Sequence, residues 1–174
     1  MKVLTHWFFR LVVIVILTSC ADYRDKREHE ARQREIGPVK LGDSYQFKDS
    51  PNSSTAYLIK LEGVKNTSAY LGPDFKVRYF DFEDDASLAL YCGGHPQTRE
   101  GSPLARFNSR FAERLVKWDI RVVENGDWSG WAYLDLSTED GPPMIWHIMV
   151  TARNRERVKA IAGQLDSFRR IRAE

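Results

Sequence analysis

The chain has 174 residues, 29% of them charged and 43% apolar, which is room for one ordinary domain and excludes a wholly disordered chain or a multispan membrane protein. The formal charge of +2 comes entirely from Lys2 and Arg10, because residues 1–19 contain no acid. The remainder is formally neutral and carries no basic block, which argues against nucleic acid as a partner, since phosphate affinity needs clustered Lys and Arg.

Residues 1–19 read as a signal peptide: Lys2 and Arg10 supply positive charge, and Leu11 to Leu17 form an apolar run too short to span a bilayer. Leu17-Thr18-Ser19-Cys20 resembles the bacterial lipobox, an aliphatic residue and two small ones before Cys. The resemblance implies cleavage before Cys20, attachment of acyl chains such as palmitate, and a periplasm-facing envelope lipoprotein anchored in the membrane. Ala21 after the lipid Cys favours the outer membrane over the inner.

Residues 20–38 hold the lipidated Cys and a charged segment, with five basic and five acidic residues between Ala21 and Glu35 and no large aliphatic until Ile36. Such a segment is expected to be a flexible tether, with a solvated, charge-paired helix, as with Glu28 and Arg32, as the alternative. Gly37-Pro38 closes it, and residues 39–174 are expected to form a single domain.

Within that domain, Tyr57 to Glu62 alternates apolar and polar as a half-buried strand does. Lys65 to Ser68 reads as a turn. Phe75 to Phe82, the acidic turn Glu83-Asp84-Asp85, and Ser87 to Cys92 read as a hairpin. Ser102-Pro103 suits a helix start, and Leu104, Phe107, Phe111 and Leu115 recur at helical spacing, which predicts a helix over about 103–116. Ile120 to Glu124 reads as a strand, Asn125-Gly126 as a turn, and Gly130 to Leu136 as a strand with Trp131 and Tyr133 on one face. Met144 to Thr151 is apolar on both faces and predicts a central strand. A last helix is predicted over about 154–169, with Arg169, Arg170 and Arg172 at its C-terminal end. The fold class is therefore α+β, a largely antiparallel sheet with two helices packed against it. The last thirty or so residues, ending in Asp166-Ser167-Phe168, are faintly similar to PsbP-like envelope domains, a likeness that implies fold alone.

Three groups carry possible chemistry. Cys92-Gly93-Gly94-His95, with His147 elsewhere, offers half a zinc site or a thiol and base, but an ordinary buried thiol beside a glycine turn explains the same residues. Trp128, Trp131 and Tyr133 flank a turn and suit a protein partner, a small ligand or a sugar ring. Arg106, Arg110 and Arg114 recur every four residues, as either a solvated face or a basic strip for an acidic partner or lipid headgroups. No motif demands catalysis, a metal or a cofactor. The leading expectation is a lipid-anchored protein-binding domain, either an accessory factor of an envelope assembly or, by size and address, a protein resembling periplasmic immunity lipoproteins that block delivered toxins. A small-ligand or glycan binder using Trp128 and Trp131 is the alternative, and a Cys92/His95/His147 site is a further one.

Overall fold

The computed structural model describes residues 25–94, 102–137 and 145–172. Residues 25–36 form helix α1, so this part of the charged segment is a helix rather than the expected flexible tether. Its Ile36 is fully buried, and packing begins there rather than at Val39. Strands β1 (Val39–Leu41), β2 (Ser44–Lys48) and β3 (Thr55–Lys60) then join a C-terminal strand, β11 (Arg169–Arg172), in a four-stranded sheet ordered β1-β2-β3-β11. Strands β4 (Val64–Leu71), β5 (Phe75–Phe82), β6 (Ser87–Gly93), β7 (Ala105–Phe111), β8 (Arg114–Val122), β9 (Trp128–Asp135) and β10 (Ile145–Ala152) form the second sheet. Its order is β4-β5-β6-β10-β9-β8-β7, with every neighbouring pair antiparallel. Helix α2 (Arg155–Gln164) follows β10. The fold is a single mostly-sheet α+β domain, as expected, and β10 is the central strand of the larger sheet.

One face of the seven-stranded sheet is covered by the four-stranded sheet and by α2. Tyr45 of β2 meets Phe80 of β5 edge-to-face at 5.5 Å, and Tyr57 of β3 meets Trp146 of β10 at 5.1 Å. Phe168 sits at the centre, stacked on Phe111 at 4.3 Å and on Tyr57 at 5.2 Å. Each such fully buried aromatic contributes up to about 3 kcal/mol of transfer free energy. The α2 side of this core depends on Gly130: a Cβ there would lie 2.5 Å from Val158 Cγ1.

The predicted helix over 103–116 is instead the β7–β8 hairpin. Spacing misleads here because residues four apart share a face in a strand as well as in a helix. The supposed apolar stripe splits. Phe107 stacks on Trp118 at 5.6 Å and Phe111 is buried, whereas Leu104 and Leu115 are exposed. The turn is Ala112-Glu113, both at positive φ (51° and 63°), as a two-residue hairpin loop of the primed type requires. Neither residue advertises that conformation, so the turn is silent in the sequence.

The last helix is also shorter than the predicted 154–169. Asn154 caps it, its Oδ1 accepting from the Arg157 amide at 2.8 Å. A 3₁₀ turn over Leu165–Ser167 follows, and Arg169, Arg170 and Arg172 lie in β11 rather than at a helix end. Lys65 to Ser68, expected as a turn, belongs to edge strand β4.

Candidate functional site: the outer face of the large sheet

Antiparallel sheets with one solvated face normally alternate apolar-in and polar-out. The face of the seven-stranded sheet turned away from the core departs from that rule. Cross-strand register places Tyr70, Val77, Tyr91, His147 and Tyr133 in one row across β4, β5, β6, β10 and β9. The adjacent row on that face is Ser68, Tyr79, Ala89, Met149, Trp131, Asp119 and Arg106, reaching β7.

The rings form a connected layer. Tyr133 stacks on His147 at 4.3 Å and 16°, and Trp131 approaches the same imidazole at 4.6 Å. Tyr91 meets His147 edge-on at 6.3 Å and stacks on Phe75 at 5.4 Å, and Phe75 in turn lies 5.7 Å from Tyr70. Trp131 Nε1 donates to Ser129 Oγ at 2.6 Å, which fixes the indole. Val77, Ala89 and Tyr91 are buried as a small second cluster with Phe75 and Met149 against it. His147 is therefore only 1% exposed although it lies on the outer face. Above this layer stand Tyr133 (41% exposed), Tyr79 (39%) and Tyr70 (47%). Cross-strand aromatic pairs of this kind stabilise a sheet by about 0.2–1 kcal/mol each, yet they leave large apolar area facing solvent.

The β7–β8 end of the same face is basic. Arg106 and Arg110 of β7 and Lys117 and Arg121 of β8 share it by alternation, and Asp119 is the one carboxylate that these two strands place there. Arg106 Nε donates to Asp119 Oδ1 at 2.9 Å. Leu115, 71% exposed, lies opposite Arg110.

Of the residues singled out from sequence, Trp131, Tyr133, Arg106 and Arg110 come together on this face. Trp128 and Arg114 do not. Trp128 pairs with Val122 and Ala152 on the core side, where it packs half-buried. Arg114 opposes Phe111 on that side, and its Nη1 donates to the Asp135 carbonyl at 3.1 Å. Cys92 and His147 cannot share a ligand. Cys92 lies in the core-facing row opposite Trp146, whereas His147 opposes Tyr91 on the outer face. Burial pushes the Cys92 thiol up from its ordinary pKa. His95 lies outside the described residues, and no cluster of three potential metal ligands occurs among those described. Asp84 and Asp85 of the acidic turn are exposed and ion-paired with Arg157, Arg153 and Lys65.

Sequence reasoning missed Tyr70, Tyr79, Tyr91, Lys117 and Arg121 as members of this face. Alternation puts Phe75, Val77 and Tyr79 together, but only strand order sets them on one sheet face with Trp131. No family model matches the chain, and neither does any curated protein or solved structure.

Proposed function

We propose that this protein is a lipid-anchored binding domain of the bacterial envelope, without catalysis, that holds a partner protein against the outer face of its seven-stranded sheet. One observation carries the reading: exposed Tyr70, Tyr79, Tyr133 and Leu115 share a sheet face with Trp131 and four cations. Tyr, Trp and Arg are the residue types enriched in the energetic centres of protein interfaces. A periplasmic address rests on the lipobox-like Leu17-Thr18-Ser19-Cys20, which lies outside the described residues. No helix among the described residues is long and apolar enough to cross a membrane.

Two measurements test this. Cys20→Ala is expected to abolish incorporation of labelled palmitate and membrane fractionation while leaving the domain folded. Continued palmitate labelling would remove the anchor reading. A photoreactive residue at position 133 is expected to cross-link a protein in intact envelopes, whereas one placed at exposed Glu156 on α2 is not. Capture of glycan alone would favour the sugar-binding alternative, to which the exposed Tyr133 ring is also suited.

A further inference from the structure

The charge distribution of the outer face says what kind of protein it fits, given the docking reading above, on which this inference rests. Arg106, Arg110, Lys117 and Arg121 face outward from β7 and β8 against Asp119, which is already engaged by Arg106. Among the described residues, the other acids near the strip are Glu113 in the β7–β8 turn, Asp135 at the end of β9, and Glu124 and Asp127 in the β8–β9 turn. The basic strip is continuous with the aromatic layer, because Trp131 opposes Asp119 and Asp119 opposes Arg106. The two parts form one footprint rather than two. The whole chain is formally almost neutral, so the excess of four cations over one carboxylate on the outer face of β7 and β8 is not a by-product of composition.

We infer that the partner presents an acidic protein surface with an apolar centre, its carboxylates over β7–β8 and its apolar centre over Tyr133 and Trp131. A second copy of this chain is a poorer occupant, since it brings the same cationic strip to the contact. Division of labour follows from the physics. Exposed cations steer encounter and are screened by salt, whereas an aromatic anchor mostly slows dissociation.

The test uses the full chain in detergent-solubilised envelopes. The peptide cross-linked by a photoreactive residue at position 133 is sequenced, and the capture is repeated with the double variant Arg110→Glu/Lys117→Glu. Neither substitution touches the aromatic layer, and both positions are exposed, so folding is preserved. The expected result is an acid-rich partner segment and at least about a tenfold loss of capture in the double variant. A comparable loss is expected on raising salt from 50 to 500 mM, together with competition by poly-L-glutamate but not by dextran. Capture that depends on Tyr133 but ignores charge reversal, salt and poly-L-glutamate would overturn the acidic partner and leave the docking reading standing. Cross-linking of a second copy would also overturn it. Indifference to Tyr133→Ala and to charge reversal alike would remove both.

Discussion

The imidazole of His147 lies beneath the ring of Tyr133, 4.3 Å away and 16° from parallel, so one of the more exposed rings of the layer rests on the most buried. The two play different parts. His147 belongs to the packed layer, and Tyr133 presents its outer surface to whatever docks. Tyr133→Ala is therefore expected to change stability by less than about 1 kcal/mol in urea titration, as surface substitutions do. The same variant should lower partner capture by about tenfold or more, as loss of an interface anchor does. A large stability loss would show Tyr133 to be structural.

Arg78 is fully buried on the core side of β5, with its guanidinium 4.9 Å from the Phe47 ring. Its Nη2 donates to the carbonyls of Lys48 at 2.6 Å and Asp49 at 3.0 Å, and its Nε reaches the Ile36 carbonyl at 3.5 Å. It thereby ties the end of α1 and the end of β2 to the large sheet. Burial pulls its pKa down from the ordinary arginine value, and Asp49 is among the groups that oppose the shift. Arg78→Ala would take the guanidinium donor from the Lys48 and Ile36 carbonyls, leave the Asp49 carbonyl to Lys76 Nζ at 2.8 Å, and open a cavity, at a cost of about 3–5 kcal/mol in chemical denaturation. Limited proteolysis should then cut first around 36–38.

Gly130 faces α2 across the core. Gly130→Ala would push its Cβ to 2.5 Å from Val158 Cγ1 and 3.2 Å from Trp118 Cε3. The strand would have to part from the helix, and overpacking of this kind costs about 1–3 kcal/mol. Thermal unfolding is expected to show it. The double variant Gly130→Ala/Val158→Ala should recover part of the loss.

Asp84 in the β5–β6 turn accepts from Arg157 Nε at 2.6 Å and from Nη2 at 3.3 Å, and this pairing holds its carboxyl below the usual carboxylate range. The folded state therefore binds that proton less readily than the unfolded chain. The resulting stability is present above about pH 4 and is lost as pH falls through the folded pKa. The pair is exposed, so its contribution is under about 1 kcal/mol. Asp84→Asn is expected to lower Tm at pH 7 by no more than about 4 °C and to shrink the difference from wild type near pH 2–3.

Cys92 is buried at 3% exposure, and burial raises its pKa. A protonated, occluded thiol is a poor nucleophile. In the Cys20→Ala variant, where Cys92 is the sole thiol, alkylation by a maleimide at pH 7 is expected to be slow in the folded protein and fast in urea. Rapid labelling of the native state would restore Cys92 as a candidate reactive group.

Much of the architecture was legible in short stretches. The Phe75 to Cys92 hairpin, the Asn125-Gly126 turn and the start of α2 at Asn154 each depend on residues a few positions apart, and each stands where its local chemistry placed it. The central strand read between Met144 and Thr151 stands as β10, with Trp146 fully buried. The β7–β8 hairpin was not legible, because Ala112 and Glu113 give no turn signal and because Phe107 and Phe111 suit either period.

The candidate site divides along the same line. The amino-acid sequence alone determined that Trp131 and Tyr133 share a face and that Arg106 and Arg110 do, since a separation of two or four keeps side chains together in a strand. Only the tertiary structure decided that both pairs belong to one surface, that Arg114 is absent from it, and that Cys92 and His147 face opposite ways. Those outcomes depend on β10 entering between β6 and β9 and on β8 and β7 extending the sheet beyond them. The choice of sheet neighbours is made by burial of a common core between distant segments, and no local pattern encodes it.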